Sequence, residues 1–425
     1  MRIREELLQY IWQFKKFQFL NLHTVEGDKV QIIDAGFWNI HSGPDFINSK
    51  IKINDTLWCG NIEIHCFSSD WNLHNHQNDI VYNNVILHVV YEVDKVVFRQ
   101  NSTEIPTLEL KHVIDYQVIS QYQNVFHALS PFSCSANLNS VDELIIHSQI
   151  ERSAVNRIIL KSDYFLKQLE INKGDWEQTT YQQLFKNFGF HLNGLPFEML
   201  AFSLPFKIIK SLKGNLHYIE ALLFGQSGLL NNVSNENYVK QLNSSFKFLR
   251  KKYKLKPIGV DLWKFLRTRP SNFPTLRIAQ LAAFLNQNNQ LLDSFLNFKS
   301  KEELLSLFNN LNISLYWETH YHFNKTGNLH STQIGNQAVS SILINTVSTL
   351  LFAYGSYLNR SDLKNKAIHL LEDLPAEQNA IVNLYRNYGV PITNAFQSQG
   401  ILHLSQHYCA PKKCLQCRVG LKLMS

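Results

Sequence analysis

Charge is scarce in this chain: Asp, Glu, Lys and Arg make up 18% of its 425 residues, against 45% hydrophobic residues. Such a sequence can bury enough apolar surface to offset its ordering entropy, which excludes a disordered tail. Cysteine is scarcer still, with 6 in the whole chain, too few for a disulfide-stapled scaffold and pointing to a reducing, cytoplasmic setting. The opening Met1-Arg2-Ile3-Arg4-Glu5-Glu6 lacks the apolar run of a secretory signal, so export is not expected. The longest apolar stretch, Ser341 to Leu358, is interrupted by Asn345, Ser348, Gly355 and Ser356 and reads as a buried helix rather than a membrane span. No repeat recurs at a period of about 30 to 45 residues, which disfavours a solenoid.

What is present divides by charge and by texture. The formal net charge is +7, but residues 1–115 hold 10 basic and 15 acidic side chains, leaving an acidic head and a basic body. The first ~20 residues carry apolar residues at helical spacing with acids in the first turn. Short apolar or alternating runs follow at Val30–Ala35, Phe46–Ile53, Thr56–Cys66, Asn84–Glu92 and Lys95–Arg99, broken by turn residues. Asn54-Asp55 makes a hairpin of two of them, and the nearly continuous apolar run from Asn84 to Tyr91 predicts a strand covered on both faces. After Cys134 the period is helical throughout, with no strand-like run. The expected architecture is α+β. A mixed α/β domain spans 1–125, a large all-α domain spans 126–400, and a short Cys-rich tail, 401–425, packs on the helical domain.

The most specific chemistry lies in the hairpin. His41-Ser42-Gly43-Pro44-Asp45-Phe46 enters its first strand and Gly60-Asn61-Ile62-Glu63-Ile64-His65 lies on its partner. Asp45 and Glu63 can meet at one end of the sheet and share a divalent cation, Mg²⁺ or Mn²⁺, through oxygen ligands. Glu63 and His65, two residues apart on one strand, share a face. A cation there would lower the pKa of a bound water and stabilise charge on a phosphate. This pattern resembles the PD-(D/E)xK nuclease superfamily, whose core is helix, three strands, helix, strand. Pro44, Asp45 and Glu63 match its motif, and His65 stands where it has a Lys. The resemblance implies a restriction-endonuclease-like fold in which Asp45 and Glu63 bind metal and His65 positions or activates water, with Lys50 or Lys52 as a substitute for the Lys.

The next segment, Ser68 to Tyr82, presents Trp71, His74, His76 and Asp79 beside that strand. With His41, these are candidates to surround the metal or face the phosphate, and its residue types resemble the very-short-patch-repair nucleases. His65, His74, His76 and Asp79, with His88 as a further donor, could instead hold Zn²⁺. At the other end, His407-x-Cys409-x4-Cys414-x2-Cys417 offers a zinc site in which His407 is the nearest fourth donor, His403 or Cys134 the substitutes, and an iron–sulfur cluster the lesser alternative. Nine basic residues lie between Arg250 and Arg277 with one acid, Asp261, and are interleaved with Trp263, Phe265 and Phe273. Lys264, Arg267, Arg269 and Arg277 are the candidates for contact with nucleic acid, DNA first.

The same motifs, with Asn84 to Val90, Phe188-Gly189-Phe190, Ala221 to Gln226, Trp263 to Pro274 and Tyr408 to Gly420, resemble the bacterial domain of unknown function 2851 family nearly end to end. The resulting expectation is a metal-dependent nuclease or phosphodiesterase. The alternatives are a nonenzymatic nucleic-acid-binding or assembly protein with a degenerate nuclease fold and a structural zinc, and a zinc hydrolase of small substrates.

Overall fold

Amphipathic spacing and turn chemistry account for the N-terminal elements of the computed structural model, which describes residues 3–39, 42–126, 131–231, 234 and 236–424. Helix α1 (Glu5–Gln13) buries Leu7, Leu8, Ile11 and Trp12 and keeps Glu5 and Glu6 in its first turn, where the helix dipole favours them. Strands β1 (Leu22–His23), β2 (Lys29–Asp34), β3 (Phe37–Trp38), β4 (Phe46–Ile53) and β5 (Thr56–Phe67) follow. Alternation on β4 buries Phe46, Ser49, Ile51 and Ile53. Its register shifts between Phe46 and Ser49, where Asn48 takes φ +58°, one of the few residue types that tolerates it. The hairpin closes as expected: Ile53 pairs with Thr56 across Asn54-Asp55, and Asn54 has φ +51°.

From β5 the chain passes through α2 (Asp70–Leu73) and two 3₁₀ turns, His76–Asn78 and Ile80–Asn84, into β6 (Val85–Glu92). The sheet order is β1-β2-β4-β5-β6-β7, with β3 on β4 and β7 at Thr107–Glu109. β4 pairs antiparallel with β2 on one side and with β5 on the other, whereas β5, β6 and β7 run parallel. Six consecutive residues of β6 are buried, the continuous burial of a strand covered on both faces. Glu63 stands opposite His88 in the parallel register, which sets the site's inner corner. The strand expected at Lys95–Arg99 does not form: only the bridge Phe98–Glu104 survives there. Arg99 instead spends its guanidinium on the Val85 and Glu104 carbonyls, and the ladder position goes to β7.

The chain divides into one unit of residues 1–149 and 404–425 and another of residues 150–403. Two expected boundaries therefore move. Residues 126–149 join the sheet unit, and so does the tail from Leu404, which was expected on the helical domain. The reason is its anchoring: Tyr10 donates to the Met424 carbonyl at 3.0 Å, Gln121 to the Leu423 carbonyl at 3.0 Å, and the Leu415 amide to Glu6 at 3.2 Å. Leu415 and Met424 are buried in the sheet unit's core.

The second unit is helical around a large core of Phe and Leu side chains that includes Phe165, Phe185, Phe188, Phe197, Phe224 and Phe284. Asn237–Tyr253 forms one long helix, whereas Phe190–Ser203 and Phe206–Lys210 are separate pieces. Pro205, which lacks an amide hydrogen, begins the second piece. A small hairpin, His320–His322 with Lys325–Thr326, is the strand content that helical periodicity concealed. The helical run Asn336–Tyr357 is long and apolar enough to cross a membrane, and 78% of its most apolar window is buried inside the fold.

Candidate metal centre

Asp45 and Glu63 do meet at the end of the hairpin, and they are already engaged. The Asp45 amide donates to Glu63 Oε2 at 3.0 Å, the Ile64 amide to Asp45 Oδ2 at 3.0 Å, and Gln9 Nε2 to Asp45 Oδ1 at 2.8 Å. Three of the four carboxylate oxygens thus accept from amides, and Glu63 Oε1 is left facing histidines. The pair alone is a poor oxygen cage for Mg²⁺, which demands near-octahedral oxygen donors. Burial pushes both carboxyls well above their ordinary range, and for Asp45 the neighbouring Glu63 charge adds to it.

The histidines complete a different set. His65 Nε2 lies 3.5 Å from Glu63 Oε1 and 3.1 Å from His74 Nδ1, and His76 Nε2 lies 3.2 Å from Glu63 Oε1. The ligand atoms of His65, His74 and His76 all fall within 4.8 Å of one another. A tetrahedral ion with bonds of about 2.0–2.1 Å spaces its ligand atoms about 3.3 Å apart, and these separations bracket that value. His76 Nε2 is moreover a buried nitrogen with no hydrogen-bond partner, aimed at a carboxylate oxygen. His65, His74 and His76, with Glu63 Oε1 beside two of them, therefore fit an ion such as Zn²⁺ better than a hard oxygen-bound one.

Local structure explains the convergence. Two-residue spacing on β5 puts Glu63 and His65 on one face. The left-handed Asn75, φ +65°, turns the chain between α2 and the 3₁₀ turn so that His74 and His76 flank the same point. His65 Nδ1 sits 2.8 Å from His88 Nε2 on the parallel strand, a contact that holds the imidazole's orientation with Nε2 turned toward Glu63 and His74. Burial first, then the neighbouring imidazoles, pushes His65 down to about 2 and His88 down to about 3, so both stay neutral, as ligation requires.

The other expected residues sort by burial. Trp71 is fully buried, donates Nε1–H to the Phe98 carbonyl at 3.1 Å and lies beneath the rings of His76 and His88. It is a wall of the site and does not face a phosphate, as was expected of it. Exposed Asp79 accepts from the Val81 amide as the cap of a 3₁₀ turn. Lys52 pairs with Asp55 at the far, hairpin-turn end at 3.7 Å, and exposed Lys50 stands opposite Cys59, so neither replaces the superfamily's Lys. His41 lies outside the described residues. Sequence reasoning missed Gln9, which orients Asp45, Glu5, whose carboxyl is influenced by His74 and His76, and Tyr82, stacked on His76 at 3.8 Å. The four-residue spacing of Glu5 and Gln9 on one helix face is the signal that could have found the first two.

In the tail, Cys409 closes a helical turn, Cys414 starts a 3₁₀ turn, and the Cys417 amide donates to the Cys414 carbonyl at 3.1 Å. Burial pushes the Cys134 thiol up, with charge at Cys409, Cys417 and Cys414 adding to the shift. His407 is exposed.

In the helical unit, Lys264, Arg267 and Arg269 are exposed. Arg277 is not: it is 4% exposed, bonded to Gln280 and Asn272 and stacked over Phe190 at 4.7 Å. Its guanidinium braces the loop before helix Pro274–Gln287 and has no surface to offer a phosphate.

The chain belongs to the family described as "Protein of unknown function (DUF2851)", whose model matches residues 5–380. No curated protein and no solved structure matches it.

Proposed function

We propose that this family member is a metal-dependent phosphodiester hydrolase acting on nucleic acid, DNA first, with the ion held by Glu63, His65, His74 and His76. The observation that carries the reading is the convergence of the His65, His74 and His76 ligand atoms within 4.8 Å of one another, with Glu63 Oε1 3.5 Å from His65 Nε2 and 3.2 Å from His76 Nε2. Bound there, the ion would supply a water of lowered pKa and a counter-charge for the phosphate. The order of helix, three antiparallel strands, short helix and parallel strand supports the nuclease-like part of the reading, and exposed Lys264, Arg267 and Arg269 support a polyanionic substrate.

The residues take modified roles. His65 has both ring nitrogens engaged and serves as a ligand rather than as the base. Asp45, held by Gln9 and Ile64, orients Glu63 through its own amide. Glu5 is left as the carboxylate beside His74 and His76 able to take a proton. Glu5→Gln should therefore lower kcat by about 10²-fold or more, the usual range for a lost general base, with metal content unchanged.

The direct test incubates the full chain with DNA and RNA in Zn²⁺, Mn²⁺ or Mg²⁺. Cleavage with Mn²⁺ or Zn²⁺ that disappears in His74→Ala is the expected outcome. Salt-sensitive binding without cleavage under any of the three ions would instead establish the nonenzymatic alternative.

A further inference from the structure

In the helical unit, residues 263–269 form a loop between the 3₁₀ turns Val260–Leu262 and Pro270–Asn272. The fold fixes it nearly everywhere except at its tip. Trp263 is buried, stands edge-on to Phe197 at 5.2 Å and donates Nε1–H to the Ser227 carbonyl at 2.8 Å. Buried Asn193 clamps the backbone of Lys264 from both sides: Oδ1 accepts from its amide at 2.9 Å, and Nδ2 donates to its carbonyl at 2.9 Å. Phe265 packs on Phe273 at 5.3 Å and on His322 at 4.9 Å. The Thr268 hydroxyl donates to the Phe265 carbonyl at 2.6 Å, and beyond the loop Arg277 holds Asn272. Between these anchors Arg267 takes φ +62°, a backbone that residues other than glycine seldom adopt. Leu266, beside it, is 87% exposed, more than any other large hydrophobic side chain among the described residues.

A lone leucine on a surface is ordinary. This one is set apart by a rigid support and by its company: exposed Lys264, Arg267 and Arg269 all lie within three residues of it, and residues 262–277 contain no Asp or Glu. The leucine gains by leaving water, whereas the three cations gain only from negative charge. A nucleic-acid duplex satisfies both, with phosphates outside and stacked bases within. One leucine is too little apolar area to anchor the loop in a bilayer. We propose that Leu266 is a wedge that enters between two base pairs of a duplex while Lys264, Arg267 and Arg269 hold the flanking phosphates. The proposal rests on the nucleic-acid reading above and adds how a site on the substrate is chosen. A leucine offers no hydrogen bond to a base edge, so insertion selects for ease of unstacking rather than for base identity. That cost is least at pyrimidine–purine steps and at mismatches. The anchored loop meets the duplex already in shape and so loses little conformational freedom on binding.

The test follows binding of the full chain, in chelator so that no strand is cut, to short DNA duplexes carrying 2-aminopurine beside a central mismatch, a TA step or an A-tract. Wild type should brighten the 2-aminopurine as the base unstacks and should bind the mismatch and TA duplexes more tightly than the A-tract. Leu266→Ala should bind the mismatch duplex about tenfold more weakly, within the range that losing one stacking contact costs. It should lose both the brightening and the preference while keeping the salt dependence. Arg269→Ala should do the opposite, keeping the brightening and lowering the slope of log K against log salt by about 1. Leu315→Ala, which alters another exposed leucine of the same unit (77%), should behave as wild type. Brightening and preference unchanged in Leu266→Ala would overturn the wedge and leave the hydrolase reading standing, as would binding to single strands alone. Wild type that binds no nucleic acid would overturn both. Binding to anionic phospholipid vesicles that is lost in Leu266→Ala, without brightening on any duplex, would assign the loop to a membrane surface and overturn the wedge.

Discussion

Glu63→Gln is expected to abolish metal-dependent cleavage and, at the same time, to raise the melting temperature of the metal-free protein at pH 8. The two effects have one cause. Glu63 and Asp45 are buried carboxyls whose proton affinities lie above their unfolded values. The native state then holds more protons than the unfolded chain, so stability is fully present below about pH 4 and is lost as pH rises toward 8. A neutral amide removes that loss, and Gln can keep an oxygen on the Asp45 amide that now donates to Glu63 Oε2. Relief of about 2 to 4 kcal/mol is the expected scale for a largely buried carboxylate that no longer has to ionise. It should read as a rise of several degrees at pH 8 and a much smaller one at pH 5, measured in chelator. Added Zn²⁺ or Mn²⁺ should stabilise wild type more at pH 8 than at pH 6 and should not stabilise the variant through this site. A melting temperature that falls in Glu63→Gln at both pH values would contradict the assignment of the pair as a charge trap awaiting a cation.

Trp71→Ala should be the most damaging single change in the sheet unit. The indole is fully buried, bonds Phe98, and is the surface against which His76, His88 and Tyr82 pack. Removing a buried Trp costs about 3 to 5 kcal/mol through lost transfer energy and the cavity left behind. The floor of the histidine set would go with it, so metal affinity should fall by more than the stability loss alone explains. Trp71→Phe keeps most of the volume and loses the Nε1 bond, which leaves a smaller penalty and a metal site intact. Melting curves with and without Zn²⁺ separate the two variants, and equal metal-induced shifts in both would show that the floor does not position the ligands.

Much of this was legible in the amino-acid order, for local reasons. The hairpin follows from Asn54-Asp55 between two alternating runs, and Glu63 and His65 share a face because strand period is two. β6 is recognisable because a strand buried on both faces needs no alternation. What failed was long-range or face-specific. Asp45 and Glu63 look like an oxygen pair until the amides of Gln9 and Ile64 claim both oxygens of Asp45 and the Asp45 amide claims one of Glu63. The histidines were visible as residue types, but their convergence depends on the left-handed Asn75. Arg277 was counted with a basic run, although each residue's face is set by neighbours such as Phe190 that lie far away in the chain.

The discontinuity of the sheet unit bears on how the protein is made. A ribosome delivers residues 1–149, then the whole helical unit, and only then the closing segment from Leu404 that supplies Leu415 and Met424 to the first core. Closing so long an insertion costs only about 5 kcal/mol in chain entropy, since the penalty grows logarithmically with length. The cost in time is different: until residues 404–424 have been made, the nascent sheet waits without the segment that supplies Leu415 and Met424 to its core.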